Sequence, residues 1–147
     1  MAGPLEGIKV LDLTRFLAGA YCTMILGDLG AEIVKIEHPQ GGDPSRNVGP
    51  YYREDVSSYF LSVNRGKRSV TLDLKKEKAR DAVIHLAGQS DIVVFPIPYI
   101  SPYNVGAYLN PLLVSVMAEG YLHNLHRGAP LLKKGGTMII LHPCSDK

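Results

Sequence analysis

One stretch constrains the fold of this chain more than any other: residues 10–37, with the sequence VLDLTRFLAGAYCTMILGDLGAEIVKIE. Residues 10–13 form a short, mainly apolar run, as expected of a strand buried on both faces. Residues 14–19 form a turn, residues 20–30 repeat apolar side chains at the period of a helix, and residues 33–36 form a second strand. This order predicts a βαβ unit, a building block of folds that bind nucleotides.

The turn and the end of the second strand narrow the choice of nucleotide. The usual dinucleotide fingerprint has three glycines, whereas this turn contains only Gly19. Glu37 ends the second strand, where an acidic residue often meets a ribose. The stretch therefore predicts a nucleotide-like ligand, but not NAD held in the usual way. In the helix, the apolar period predicts a buried face that comprises Cys22, Ile25, Leu26 and Leu29.

The rest of the chain continues the alternation of strands and helices. The patterns predict a loop at 39–53, a helical turn at 57–64, a strand at 69–74, a helix at 75–88, a strand at 91–95, a helix at 111–127 and a strand at 137–141. The fold class expected is α/β, with Rossmann-like βαβ units and a mostly parallel sheet.

Composition limits the class of protein and the compartment. The chain has 147 residues, 46% of them hydrophobic and 20% charged, which fits one globular core. A net charge of +2 argues against nucleic acid or an anionic membrane as a partner. Cys22 and Cys144 lie far apart, and Cys22 is expected to fill apolar space. With neither a signal peptide nor a long apolar run, a cytoplasmic protein is expected, or one of the mitochondrial matrix.

A series of ordered motifs over residues 4–94 resembles the amino-terminal part of family III CoA-transferases. This is the family of formyl-CoA transferase and of the carnitine and bile-acid CoA-transferases. The motifs lie at 4–7, 10–14, 18–19, 27–31, 34–37, 41–46, 59–69 and 72–75. The resemblance implies coenzyme A as substrate, transfer of CoA between an acyl-CoA and a carboxylic acid, and an interlocked homodimer.

The same resemblance implies which residues contact CoA. Phe16 and Leu17 take positions that line the adenine and pantetheine path, and His38 takes a position that is often Arg in the family. Leu72 and Lys75 take positions that hold the adenine and the 3′-phosphate. Three more residues are predicted from the βαβ unit itself: Ala18 and Gly19 at the start of the helix, and Arg15, which could reach a phosphate from the turn or be only solvated. The predicted CoA-binding residues are Arg15, Phe16, Leu17, Ala18, Gly19, His38, Leu72 and Lys75. No catalytic residue is predicted, because the family's aspartate nucleophile matches no position here, and Asp146 lies in a different context.

Several of these residues also have a plainer interpretation. Gly19 would admit a ligand to the helix start, or would only relieve packing between helix and strand. Lys75 would bind phosphate, or would belong with Lys76 and Lys78 to a solvated helix face. The positive group Arg65, Lys67 and Arg68 would bind a polyanion, or would only solubilise a turn. Arg46, which follows Gly42 and Asp43, resembles a family position where Asp and Arg hold a loop and do not touch ligand.

The chain changes character after residue 94. Residues 1–94 contain 12 basic and 12 acidic residues, whereas residues 95–147 contain 4 and 2. The second segment weakly resembles the carboxyl-terminal part of lactate-racemase-like proteins. We therefore expect two parts, 1–94 for nucleotide binding and 95–147 of different origin, that complete one sheet. Whether the junction is natural, engineered or an artefact of gene prediction stays open.

The second segment also supports alternatives to the transferase. His123, His126, His142 and Cys144 are candidate zinc or nickel ligands, although a polar edge of a core helix is the more frequent role of such histidines. No metal is expected on balance. The two alternative functions are a lactate-racemase-like fragment with a metal site and a noncatalytic, nucleotide-binding α/β fragment.

Overall fold

A computed structural model of the chain describes residues 3–52, 55–96, 134–135 and 137–141. The elements, in chain order, are β1 (Lys9–Asp12), α1 (Ala18–Asp28), β2 (Glu32–Glu37), a 3₁₀ turn (Pro44–Asn47), β3 (Tyr51–Tyr52), β4 (Val56–Ser57), α2 (Ser58–Asn64), β5 (Arg68–Thr71), α3 (Glu77–Gln89), β6 (Ile92–Pro96) and β7 (Thr137–Leu141).

Five strands form one parallel sheet in the order β5-β2-β1-β6-β7. Val10 of β1 aligns with Ile33 of β2 on one side and with Ile92 of β6 on the other. β5 extends the sheet beyond β2, and β7 extends it beyond β6, both in parallel. The predicted α/β fold with βαβ units and a parallel sheet is confirmed.

Two apolar clusters cover the two faces of the sheet. Val10 and Ile33 pack with Val94 on the face that meets Leu26 of α1. The neighbouring Leu11 belongs to the opposite face, where Ala87 of α3 closes a second cluster. Successive residues of a strand point to opposite faces, so a sheet covered by helices on both sides needs the continuous apolar runs seen in the sequence.

The buried face of α1 differs from the predicted one. Ala20, Thr23 and Met24 are buried, whereas Ile25 is 40% exposed and Leu29 is 41% exposed. Cys22 is half-buried. The apolar period misjudged the face because a polar residue is buried: Thr23 Oγ1 donates to Asp12 Oδ2 at 2.6 Å.

The exposed side of α1 carries an apolar stripe. Leu17 and Tyr21 are each 51% exposed, and Ile25 and Leu29 continue the line along the helix at intervals of four residues. We call these four residues the α1 stripe.

Between β2 and α3 the structure adds detail to the prediction. The predicted loop at 39–53 contains the 3₁₀ turn and β3, and β3 pairs with β4 as a separate antiparallel ribbon. Ser57 caps α2, since its Oγ accepts from Phe60 N at 3.0 Å. The strand predicted at 69–74 ends at Thr71, and the helix predicted from residue 75 begins at Glu77. Lys75 therefore lies in the connecting loop.

The last strand, Thr137–Leu141, has the predicted bounds. The predicted helix at 111–127, the candidate ligands His123, His126, His142 and Cys144, and Asp146 lie outside the described residues. In the part of the chain that the structure describes, no helix is long and apolar enough to cross a membrane.

Candidate functional site

A cavity of about 250 Å³ opens at the carboxyl ends of β1, β2 and β5. Each strand contributes the residues at or just after its end. The lining residues are Leu13, Thr14, Arg15, Ile36, Glu37, His38, Gly42, Asp43, Leu72, Asp73, Leu74 and Lys75. In open parallel sheets, ligands bind beyond the carboxyl ends of the strands, so the cavity lies where this fold places a ligand.

Four of the eight residues predicted to contact CoA meet in this cavity. Arg15 follows β1, His38 follows β2, and Leu72 and Lys75 follow β5. They are separated by up to 60 positions in the chain, and the parallel order of the strands brings them to one wall. Within the described residues, no carboxylate forms an ion pair with the side chain of Arg15 or Lys75, so both cations are available to an anion.

The other four predicted residues lie along the turn into α1 and outside the cavity wall. The side chains of Phe16 and Leu17 are about half exposed, and Ala18 is exposed. Gly19 is buried, and a Cβ built on it would lie 2.3 Å from Thr14 Cγ2. This contact supports the packing interpretation of Gly19, and a ligand contact there stays a prediction.

Local contacts orient the cavity loops. Asp73 Oδ1 accepts from the Lys75 amide at 3.1 Å. Arg80, from α3, donates to the carbonyls of Leu74 and Lys75 at 3.1 and 2.9 Å. The loop that carries Lys75 is thus fixed at both sides, although the lysine side chain extends from it.

Glu37 is not available to a ribose, contrary to the expectation from its position. Its carboxylate accepts from Arg46 Nε and Nη2 at 2.8 Å each, from Ser69 Oγ at 2.6 Å and from the Asp43 amide at 2.7 Å. Burial alone would raise the pKa of Glu37, but these hydrogen bonds and the Arg46 charge outweigh it and lower the pKa to about 2. Glu37 therefore serves as an internal counter-ion, and Arg46 holds a loop, as its resemblance implied.

The positive group at residues 65–68 is paired within the chain. Arg65 forms an ion pair with Asp28 at 2.5 Å, and Arg68 forms one with Glu32. Lys67 is buried: its Nζ lies 3.1 Å from Asp12 Oδ2, 2.7 Å from Ala20 O and 2.9 Å from Asn64 Oδ1. None of the three lines the cavity, so the polyanion interpretation has no support from their placement.

A buried charge network lies under the cavity. Lys35, in the middle of β2, is 1% exposed, and its Nζ contacts Asp43 Oδ2 at 2.9 Å and Asp12 Oδ2 at 3.9 Å. Asp12 also pairs with Lys67 and accepts from Thr14 and Thr23. Sequence patterns missed this network because the partners of a buried charge lie far from it in the sequence, and no local pattern identifies them.

Comparison with known families decides the relationship that the motifs suggested. The model of CoA-transferase family III matches residues 5–123. The chain belongs to CoA-transferase family III. The match runs past residue 94, where the motif resemblance ends, and includes part of the segment for which a separate origin was expected.

Individual relatives agree with this assignment. The chain is 50% identical over 91 residues to the succinyl-CoA:glutarate CoA-transferase of Homo sapiens, a match that covers 62% of the chain and 21% of the relative. It is 46% identical over 149 residues to the alpha subunit of the succinyl-CoA–L-malate CoA-transferase of Chloroflexus aurantiacus, covering 97% of the chain and 34% of the relative. Among solved structures, a CAIB/BAIF family protein from Brucella suis superposes with a TM-score of 0.61 at 40% identity, over 66% of this chain and 26% of that one.

The chain thus spans about a fifth to a third of the length of the curated relatives it matches.

Within the described residues, no group of three or more His, Cys, Asp or Glu side chains is arranged to hold a metal ion.

Proposed function

We propose that this chain binds coenzyme A in the cavity at the carboxyl ends of β1, β2 and β5, as the nucleotide-binding part of a family III CoA-transferase. The observation that carries the proposal is the convergence of Arg15, His38, Leu72 and Lys75 on one cavity. The family motifs in the sequence imply a CoA contact for three of these residues, His38, Leu72 and Lys75. Arg15 was expected to reach a phosphate from its place in the turn. The cavity thus brings together residues that two separate lines of reasoning had named.

The chemistry of the wall suits a phosphorylated adenine nucleotide. Leu13 and Leu72 offer apolar surface to a base, and Arg15 and Lys75 offer cations to phosphate. Three acidic residues also line the wall. Glu37 is paired with Arg46 and Asp43 with Lys35, while Asp73 accepts from the amide of Lys75. The two cations of the wall therefore remain available to an anionic ligand.

We further propose that the chain does not transfer CoA between acids on its own. The resemblance places the family's aspartate nucleophile beyond the matched motifs. Asp12 and Asp43, which lie beside the cavity, are buried and paired with lysine. A carboxylate held in this way is a poor nucleophile toward an acyl-CoA.

Calorimetric titration of CoA into the purified chain tests the binding proposal. We expect saturable binding that weakens in Lys75→Ala and is unchanged in Lys78→Ala, a matched lysine that lies outside the cavity wall. Absence of binding from a folded chain would refute the proposal. A transferase assay with succinyl-CoA and several carboxylic acids tests the second part, because any turnover would contradict it.

The alternative functions have separate readouts. Binding of CoA without turnover agrees with a noncatalytic nucleotide-binding fragment as well as with an isolated part of a transferase. A lactate-racemase-like origin of residues 95–147 stays a prediction, and elemental analysis of the purified protein for nickel and zinc would test its metal site.

We also propose that the chain forms a homodimer, as the family resemblance implies. The α1 stripe supports this, since four apolar side chains at 40% to 51% exposure favour burial against a partner. Sedimentation analysis of the wild type and of Tyr21→Lys/Ile25→Lys tests it. A monomeric wild type at tens of micromolar would count against the dimer.

A further inference from the structure

Asp43 joins the two loops that build one side of the cavity. It follows β2, is 2% exposed, and accepts with Oδ1 from the amide of Ser45 at 2.9 Å and from Ser45 Oγ at 2.8 Å. The same oxygen accepts from the amide of Phe16 at 3.2 Å, across to the turn between β1 and α1. Asp43 is therefore a link between chain segments that lie 27 residues apart.

Phe16 has an unusual backbone conformation at this contact. Its φ angle is 57°, and it is the only residue other than glycine with positive φ among those the structure describes. The left-handed region is unfavourable for a side chain with a Cβ, by roughly 1–2 kcal/mol per residue. Without a contact to hold it, the turn would favour a different conformation.

Two more residues, Lys35 and Asp12, fix the turn at Thr14 through three hydrogen bonds. Lys35 Nζ donates to the carbonyl of Thr14 at 2.8 Å and pairs with Asp43 Oδ2 at 2.9 Å. Asp12 Oδ1 accepts from the amide of Thr14 at 2.8 Å and from its hydroxyl at 2.6 Å. The buried charge network thus holds the turn at the amide and carbonyl of Thr14 and at the amide of Phe16.

The turn also forms part of the cavity wall. Thr14 and Arg15 line the cavity, and Arg15 directly precedes the strained residue. The conformation of Phe16 therefore sets where the backbone and side chain of Arg15 lie relative to Lys75 on the opposite loop. Both carboxylate oxygens of Asp43 contact groups of the chain, Oδ1 with Phe16 and Ser45 and Oδ2 with Lys35, so its charge is used within the protein.

We propose that Asp43 is a positioning residue for ligand binding: it preorganises the turn at residues 14–16 by holding Phe16 in the left-handed conformation. This rests on the proposed function for the identity of the ligand. In the absence of the Asp43 acceptor, the ligand itself must order the turn, and its affinity falls by the cost of doing so.

A pair of substitutions at Phe16 separates this role from a general structural one. Phe16→Gly and Phe16→Ala both remove the ring, which is half exposed, and differ in the cost of positive φ, which glycine does not bear. In the wild-type background Asp43 holds the turn, so we expect the two variants to bind CoA with dissociation constants within about twofold of each other. In the Asp43→Ala background we expect Phe16→Gly to bind about fivefold to tenfold more tightly than Phe16→Ala.

The ratio of the two dissociation constants is insensitive to a loss of affinity that affects both variants equally. The same ratio in both backgrounds would overturn the proposal, because Asp43 would then act without reference to the conformation of Phe16.

Should Asp43→Ala fail to fold, Asp43→Asn provides the test, since Asn retains an oxygen that accepts from Phe16 and Ser45. Asp43→Asn also loses the ion pair with Lys35, but that loss affects both Phe16 variants equally. In the Asp43→Asn background we therefore expect Phe16→Gly and Phe16→Ala to bind CoA with dissociation constants within about twofold of each other, and a larger ratio would overturn the proposal.

A readout without ligand distinguishes this inference from the proposed function. If the wild type does not bind CoA, the function fails and the positioning role is tested by hydrogen exchange. The Phe16 amide should then be protected in the wild type to a degree that neighbouring exposed amides are not. An unprotected Phe16 amide in a chain whose β1 amides are protected would overturn the positioning role.

Discussion

Arg46 binds Glu37 through two parallel hydrogen bonds of 2.8 Å and at the same time places its guanidinium carbon 3.7 Å from the centre of the Phe60 ring. One side chain thus joins the end of β2, the 3₁₀ turn and α2. The carboxylate side of the contact is buried, with 1% of the Glu37 side chain exposed, while the Arg46 side chain is 41% exposed.

The stability of the fold should fall in acid through Glu37. Its pKa is about 2 in the folded chain, against 4.5 for the free group. A group whose pKa is lowered by folding stabilises above its unfolded pKa, so the contribution is complete above about pH 4.5 and is lost as the pH falls toward 2. It is on the order of 3 kcal/mol at neutral pH.

Urea unfolding across this pH range checks the contribution. Glu37→Gln should flatten the dependence of the unfolding free energy on pH between about 4.5 and 2. Glu32→Gln is the matched control, because Glu32 pairs with Arg68 at the surface, where both side chains are exposed by 45% or more. Equal pH profiles for the wild type and Glu37→Gln would contradict the prediction.

Gly19 and Gly88 should respond oppositely to alanine. A Cβ at Gly19 would meet the side chain of Thr14, which its hydrogen bond to Asp12 holds in place. We expect Gly19→Ala to lower the unfolding free energy by about 1–3 kcal/mol. Gly88 lies in α3 with open space around it, so Gly88→Ala should raise the unfolding free energy by about 0.5–1 kcal/mol.

Chemical denaturation of the two variants provides the measurement. A stable Gly19→Ala would show that Thr14 moves aside, and the packing account of Gly19 would then be wrong. CoA titration of the same variant tells whether the turn tolerates the shift without loss of the ligand site.

Lys67 should be needed for the fold although it lies outside the cavity wall. Its ammonium group satisfies the fully buried Asp12 and the carbonyl of Ala20. Lys67→Met leaves Asp12 with Lys35 as a more distant cation, 3.9 Å away. We expect a loss of about 3 kcal/mol in unfolding free energy.

The control for Lys67→Met is Lys76→Met, at an exposed position before α3. Its effect should lie within about 0.5 kcal/mol. Thermal unfolding of both variants is the measurement, and a similar melting temperature for the two would show that the buried contacts of Lys67 contribute little.

Lys75 should recognise a particular phosphate of CoA. If it holds the 3′-phosphate, Lys75→Ala weakens CoA by about tenfold and leaves 3′-dephospho-CoA nearly unchanged. Calorimetry with both ligands and both proteins gives a double cycle. An equal loss for the two ligands would assign Lys75 to the diphosphate instead.

Local patterns predicted the five strands of the sheet and the three described α-helices, because a sheet covered on both faces requires continuous apolar runs and helices require a regular period. They did not predict the short strands β3 and β4. The patterns gave the wrong burial where a polar side chain is buried because it bonds to a residue distant in the sequence. Thr23 is buried because its hydroxyl donates to Asp12. The buried face of α1 therefore differs from the face that the apolar residues alone predicted. Lys35 lies in the middle of a buried strand, where Asp43, Asp12 and the carbonyl of Thr14 surround its ammonium group.

In the candidate site, too, the sequence predicted some residues and missed the contacts between distant ones. Family motifs pointed to His38, Leu72 and Lys75, and the place of Arg15 in the turn pointed to Arg15; these four residues meet in the cavity. The role of Asp43 depends on a contact between residues 27 positions apart and on the backbone angle of Phe16. The motif at 41–46 contains Asp43, but neither its contact with Phe16 nor the backbone angle of Phe16 can be read from the spacing of residues in the sequence.

The central position of β1 in the sheet affects how the chain folds during synthesis. β1 finds β2 directly after α1, but its other neighbour, β6, is anchored by a contact between Lys9 and Asp91, 82 residues later. At about 5–20 residues per second, a ribosome needs roughly 4 to 16 s to supply that partner. During this interval one edge of the apolar strand β1 has no partner strand. Chaperone binding to the nascent chain would matter most in this interval, because an unpaired apolar edge favours aggregation.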